Sequence, residues 1–176
     1  MDFYIQASKP RITEQFDAND ECLSDAMETA FPLYTENAFV YWHHIPISLS
    51  YKYDLSYMVE DLIELFDVLT CEEQGKCEIQ WLPDTFRCDW CMSWEGDQLT
   101  IQANWENLAG NVQTLLQAYP TVKIDKQDFM CEWRSVFEAI VYSLHECGYD
   151  CHSLRGLPEL EKIVNRMGKS GVLYHE

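Results

Sequence analysis

Two groups of side chains in this sequence have the types and spacing of a metal site. Cys88-Asp89-Trp90-Cys91 has the CxxC separation of a zinc knuckle, and His145, Cys147, Cys151 and His152 lie close together near the end of an apolar-periodic stretch. Zinc needs sulfurs that converge, usually from a turn. The residues around Cys88 instead alternate apolar and polar as a strand does, and a three-residue offset along a strand sends Cys88 and Cys91 to opposite faces. They therefore read as small, semi-buried thiols in a reducing compartment. A calcium loop of the DxDxDG type does not occur either. No metal or other cofactor is expected.

Catalysis is the second chemistry to weigh. His43, His44 and His145 could serve as bases and any of the eight cysteines as a nucleophile. The sequence holds no nucleophile elbow, phosphate loop, HExxH or glycine-rich dinucleotide fingerprint. His43 and His44 read as neighbours at a strand end, one inward and one in water. No catalytic residue is assigned, although a Cys–His pair formed only in space leaves a small enzyme open as an alternative.

Carboxylates are the third group. The 176 residues carry 30 Asp plus Glu against 12 Lys plus Arg, a formal charge of −18, which disfavours direct binding to nucleic acid. The excess is local. Between Arg11 and Lys76 the only basic residue is Lys52, against fourteen acids, while residues 107–176 are nearly balanced. Glu60 and Glu64 are four residues apart and Glu64 and Asp67 three, so together with Asp61 they stack like charges on one helix face, at about 0.2–0.5 kcal/mol per pair. Glu72 and Glu73 extend the series. A solvated face that aids solubility is the plain explanation; the continuity of the deficit favours a surface built for a cationic protein. The predicted partner-binding residues are Glu60, Asp61, Glu64, Asp67, Glu72 and Glu73. Aromatic anchors beside them would come from a few exposed members of Tyr34, Tyr41, Trp42, Tyr51, Tyr53, Tyr57, Trp81, Trp90, Trp94 and Trp105, most of which belong in a core.

These groups need a scaffold, and the hydropathy pattern supplies one. Ile47, Leu49, Tyr51 and Tyr53 alternate on one face of a strand over Ile47–Tyr53. Leu55, Met58, Val59, Leu62, Ile63, Phe66 and Leu69 then recur at three- and four-residue steps, a helix over Asp54–Thr70 whose wet face is the acidic one. After a turn at Glu72–Lys76 comes a short strand, Glu78–Leu82. Phe86–Trp105 is a hairpin turning at Gly96-Asp97, with Trp94 opposite Leu99, Met92 opposite Ile101, Trp90 opposite Ala103 and Cys88 opposite Trp105 on one face. Asn107–Tyr119 reads as a helix with Leu108, Val112, Leu115 and Leu116 inward, and Val122 and Ile124 as a small strand. The longest helix starts at Asp125 or Lys126, carries Phe129, Trp133, Val136, Phe137, Ile140 and Leu144 inward, and stops at Gly148. A last helix runs from Pro158 to Gly168, and Asp20–Thr29 forms a short acidic one.

With 47% hydrophobic and 14% aromatic residues the chain folds rather than remaining an acidic disordered tail. The predicted class is α+β: a single domain over 1–176 in which an antiparallel sheet with a Trp-rich hairpin packs against several helices, residues 1–36 being a peripheral acidic segment. The opening MDFYIQASKPRITEQFD lacks a signal-peptide pattern, and no apolar run reaches the roughly 20 residues of a membrane span, so the expected location is cytoplasmic and off the membrane.

The blocks SLSYKYDLSYMVEDLIELF (Ser48–Phe66), LTIQANW (Leu99–Trp105) and FMCEWRSVFEAIVYSLHECGYD (Phe129–Asp150) make the sequence resemble a bacterial immunity protein, the antitoxin of a contact-dependent growth inhibition or other polymorphic toxin system. The resemblance implies an acidic, catalytically silent, cytoplasmic protein that binds one cognate toxin domain in a 1:1 complex and blocks its active site or substrate groove. Such toxins are commonly basic nucleases, which suits the charge. No binding residue transfers by motif. A nucleic-acid mimic that occupies a host DNA- or RNA-binding protein stands as the alternative with the same acidity.

Overall fold

The computed structural model describes residues 2–169. Seven strands form two antiparallel sheets. Strands β1 (Phe3–Gln6), β2 (Ala38–Trp42) and β3 (Ile45–Leu49) lie in the order β1-β2-β3, and β4 (Gln74–Trp81), β5 (Phe86–Glu95), β6 (Gln98–Leu108) and β7 (Thr121–Asp125) in the order β4-β5-β6-β7. The helices are α1 (Leu23–Ala30), α2 (Ser56–Cys71), the single turn α3 (Gln113–Leu116), α4 (Lys126–Glu146) and α5 (Leu157–Lys169). The α+β class holds, with two sheets where one was foreseen.

The β5–β6 hairpin has the predicted register: Trp94 faces Leu99, Met92 Ile101, Trp90 Ala103 and Cys88 Trp105. Hydrophobic alternation and turn chemistry agree here, since Gly96 takes φ 57, open to glycine without a Cβ penalty. Every inward residue of those pairs is buried. The two sheets meet at Trp42, whose ring lies 5.9 Å from Trp90 and edge-on 5.0 Å from Trp105. Edge-on pairs of this kind contribute about 0.5–1.5 kcal/mol beyond their buried area. The Trp42 indole donates to the Tyr119 carbonyl at 2.6 Å, so it pins the loop before β7 as well.

The helices follow their apolar stripes. Asp125 caps α4 by accepting from the Gln127 and Asp128 N–H groups, all six predicted inward residues are buried, and Gly148 ends the segment at φ 99. The α2 stripe is buried in full, and Phe66 packs 6.0 Å from Phe129 and 5.4 Å from Phe137 of α4. At the far end of α2 the carbonyl of Glu72 accepts from Lys126 Nζ at 3.1 Å and from the Trp94 indole at 3.2 Å. A cation at the negative end of the helix dipole thus anchors α2 to α4.

Five expectations need correction. The strand predicted over Ile47–Tyr53 stops at Leu49, and Tyr51–Leu55 is a π-helical turn in which Asp54 and Leu55 N–H both donate to Ser50 O. Tyr51 points inward, 5.0 Å from Phe31, as the alternation requires, but Tyr53, expected on the same face, is exposed by the helical turn. The Asn107–Tyr119 helix shrinks to α3: Leu108 stays in β6 opposite Phe86, Gly110 and Asn111 take left-handed backbone (φ 81 and 56), and Leu115 is exposed. The predicted turn at Glu72–Lys76 already belongs to β4 from Gln74 on. His43 and His44 are not a strand end but the two-residue β2–β3 turn, both left-handed at φ 47 and 67, as a primed turn requires; His43 is half-buried and His44 exposed. Residues 1–36 are not peripheral. They supply β1 and α1, with Phe3, Ile5, Leu23, Ala26, Met27, Ala30 and Phe31 buried.

Candidate functional site

Burial of the α2 stripe fixes the rotation of the helix and turns Tyr57, Glu60, Asp61, Glu64, Asp67 and Val68 outward. Tyr57, Asp61, Glu64 and Val68 follow one another at helical spacing along this face. Among the described residues Glu60, Asp61 and Glu64 have no ion-pair partner. Partial burial, and then the neighbouring Glu64 carboxylate, raise the Asp61 carboxyl above its ordinary value. Lys52, the one base in this stretch of sequence, gives no relief, because its ammonium donates to the Glu28 and Phe31 carbonyls at the end of α1.

Asp67 differs from its neighbours. It pairs with Arg166 of α5 at 2.8 Å, a cation 99 residues away that helix spacing could not reveal. Glu72 and Glu73 sit past the end of α2 and border an open cleft with Gln74, Glu95 and Gly96. The six predicted residues therefore do not form one cluster. Glu60, Asp61 and Glu64 form the uncompensated face, Asp67 is ion-paired, and Glu72 with Glu73 joins Glu95 at the helix end.

A groove of about 490 Å³ runs between α2 and β4, lined by Asp61, Glu64, Leu65, Val68, Cys77, Glu78, Ile79, Gln80 and Leu82. Leu82 is 67% and Val68 37% exposed, so the groove presents apolar side chains next to carboxylates. The residues of β4 that line it, and Leu82 beyond its end, were missed as site residues. Their alternation was visible in the sequence, but which strand lies at the edge depends on pairing that no local pattern shows.

The six tryptophans are all buried and belong to the core. The exposed ring on the acidic face of α2 is instead Tyr57, while Tyr34 and Tyr53, also exposed, lie beside Arg11 and Lys52. Tyrosine combines a rigid apolar body with a hydroxyl and suits a contact surface that is otherwise charged.

Cys88 is buried on the inner face of β5 and Cys91 exposed on the outer, the opposition their strand spacing predicts. Burial, with Asp89 and Glu106 nearby, pushes the Cys88 thiol far up, away from the reactive thiolate. His145 is held between the Tyr149 carbonyl at 3.0 Å and Glu161 at 2.7 Å, and His43 reaches the Thr121 carbonyl at 2.9 Å. Among the described residues no three His, Cys, Asp or Glu side chains are grouped to hold a metal ion. A cavity of about 450 Å³ between α2, α4 and α5 has an apolar floor of Phe66, Leu69, Met130, Ile163 and Met167, rimmed by Lys126 and Arg166. Both cations are already engaged, Lys126 by the Leu69 and Glu72 carbonyls and Arg166 by Asp67.

No family model, curated protein or solved structure matches the chain. No helix of the described residues is long and apolar enough to cross a membrane.

Proposed function

We propose that this chain is an acidic immunity protein that binds a cognate basic toxin domain, a nuclease, in a 1:1 complex and neutralises it by occluding its active site or substrate groove in the cytoplasm. The observation that carries the reading is the uncompensated face of Glu60, Asp61 and Glu64, beside exposed Tyr57 and an apolar groove. Lys and Arg that hold substrate phosphates in a nuclease would find carboxylates there in place of phosphate. Glu72, Glu73 and Glu95 would extend the negative field beyond the helix end, and Asp67 would add to it through space while its direct valence is taken by Arg166. Steering by such a field raises association toward roughly 10⁸ M⁻¹s⁻¹ at low salt, useful where a delivered toxin must be caught before it cuts.

The test is co-expression with the C-terminal domain of the protein encoded immediately upstream. Growth rescued by this chain, together with a 1:1 complex that survives purification, supports the reading. Growth arrest that this chain does not relieve, or binding instead to a host DNA- or RNA-binding protein, overturns it in favour of the nucleic-acid mimic or of a different role.

A further inference from the structure

The outer edge of β4 has no cover among the described residues. In an antiparallel ladder alternate residues exchange both hydrogen bonds with their partner, and those between them direct N–H and C=O away from it. Gly96 N–H donates to Glu73 O at 2.8 Å, and the β4–β5 register continues unbroken from Gln74 opposite Glu95 to Trp81 opposite Cys88. Gly75, Cys77, Ile79 and Trp81 therefore bond to β5, while Gln74, Lys76, Glu78 and Gln80 present their backbone groups outward. No described side chain or backbone group takes them up. One edge of the other sheet is treated differently: β1 packs against α4, and its Ile5 N–H donates to Glu132 Oε2 at 2.8 Å.

Proteins usually blunt an exposed edge with a bulge, a proline or several charges of the kind that repel another strand. β4 is eight residues long, carries no proline and no register shift, and has one cation, Lys76. Alongside it lies the groove against α2, with Leu65, Val68, Ile79 and Leu82 as apolar surface and Asp61, Glu64 and Glu78 as charge.

We propose that the outer edge of β4 is a strand-docking site that takes an extended basic and aliphatic segment of the partner protein by sheet addition, every second side chain entering the groove against α2. The proposal rests on the reading of the partner as a basic protein and names where and how that partner is held. Main-chain bonds to Lys76, Glu78 and Gln80 would supply registration, Leu65, Val68, Ile79 and Leu82 would receive aliphatic side chains, and Asp61, Glu64 and Glu78 would select Lys or Arg. A second copy of the chain is the weaker occupant. Pairing two β4 edges would bring together two acidic α2 faces on molecules of charge −18.

The probe is a blocked seven-residue peptide of alternating lysine and valine, titrated into the full-length chain while backbone amides are followed by NMR. Slowed exchange at the Lys76, Glu78 and Gln80 amides supports the site, as does roughly tenfold weaker binding in Gln80→Pro, which removes an outward donor without changing charge or the ladder to β5. Val68→Arg, on the exposed face of α2, tests the groove independently of β4 folding and is expected to weaken binding by a similar factor. Shifts confined to Glu72, Glu73 and Glu95, or unchanged affinity in both variants, overturn the site, as does a concentration-dependent dimer that Gln80→Pro abolishes. Growth protection in the co-expression assay separates the two ideas. Protection by both variants with unchanged affinity for the purified toxin domain overturns the edge site and leaves the immunity reading standing, whereas peptide docking with no protection by the unaltered chain does the reverse.

Discussion

Asp54 and Thr85, 31 residues apart, are joined by a hydrogen bond from the threonine hydroxyl to one carboxylate oxygen, while the other oxygen accepts the Ser50 N–H at 2.7 Å. Ser50 returns the favour by accepting from Tyr53 N–H, a reciprocal cap stretched by one residue because the turn is π-helical. One buried carboxylate thereby ties the start of α2 to the turn that enters β5. The acidic face on α2 and the sheet edge on β4 are held in register through this link and through Lys126 and Trp94 at the other end of the helix.

Asp54→Asn keeps an acceptor for Thr85 but presents an amide to the Ser50 N–H. Leaving that donor unpaired is expected to cost about 1–3 kcal/mol in urea denaturation. Burial raises the Asp54 carboxyl above its ordinary 3.8, against the two hydrogen bonds that lower it. The native state therefore holds this proton to higher pH than the unfolded chain, so the contribution of Asp54 to stability is largest below 3.8 and falls as pH rises through the raised value. The gap between the unaltered protein and Asp54→Asn should narrow over that climb; a gap that widens instead would show that the hydrogen bonds outweigh burial.

Gly75→Ala is expected to cost more than Gly96→Ala. A Cβ at Gly75 would lie 2.3 Å from the Trp94 ring, whereas one at Gly96 would meet nothing within 4 Å and suffer only its φ of 57. Overpacking against a buried indole costs about 1–3 kcal/mol, and left-handed backbone about 1–2 kcal/mol. Thermal denaturation of the two alanine variants should show the larger loss at Gly75, accompanied by a change in Trp94 fluorescence that Gly96→Ala lacks.

That glycine also shows why the sequence was legible in some places and not in others. The β5–β6 register and the α2 and α4 stripes were readable because alternation, helical period, turn residue and cap all pointed the same way. Gly75 looked like a turn residue because nothing local reveals that an indole nineteen residues on needs the space its side chain leaves. The His43-His44 turn lacked the usual Asn-Gly, being held instead by Thr121 from another sheet. On the candidate face, Glu60, Asp61 and Glu64 were visible by helix spacing. The Arg166 partner of Asp67 and the β4 side of the groove were not, since both depend on tertiary pairing.

Tyr149→Phe should loosen the N-terminal segment. The Tyr149 hydroxyl donates to Asp20 and accepts the Asp17 N–H at 3.2 Å, and its ring lies 4.8 Å from Phe16. Loss of the hydroxyl is expected to cost about 1–2 kcal/mol and to speed amide exchange around Asp17. Burial, followed by the Asp20 carboxylate, pushes the phenol up from 10.0 to about 12. The native state then keeps its proton where the unfolded chain loses it, so the advantage over Tyr149→Phe should shrink as pH rises from 10 to 12.

Partner binding should weaken at low pH through Asp61. Its carboxyl is raised by partial burial and by Glu64, so this face takes up a proton earlier than ordinary carboxylates as pH falls. An approaching cation favours the charged form, and binding above the raised value should strengthen relative to binding below it. Isothermal titration across that range should show proton release on binding for the unaltered chain and less for Asp61→Asn.

Charge substitutions should separate Asp67 from Glu60 and Glu64. Reversal at both Glu60 and Glu64 is expected to slow association and flatten its salt dependence, since the long-range field depends on total charge and is screened over about 8–10 Å. Neutralising Glu64 to Gln and Asp67 to Asn changes that field by the same unit, so the two should slow association alike. Dissociation is where they part. Glu64 has no ion-pair partner among the described residues and can meet a cation of the bound protein directly, whereas Asp67 already holds Arg166 at 2.8 Å. Stopped-flow and surface-capture kinetics should then show faster dissociation for Glu64→Gln, by roughly three- to tenfold, and little change for Asp67→Asn. Equal effects on dissociation would place Asp67 in the contact and require Arg166 to leave it on binding.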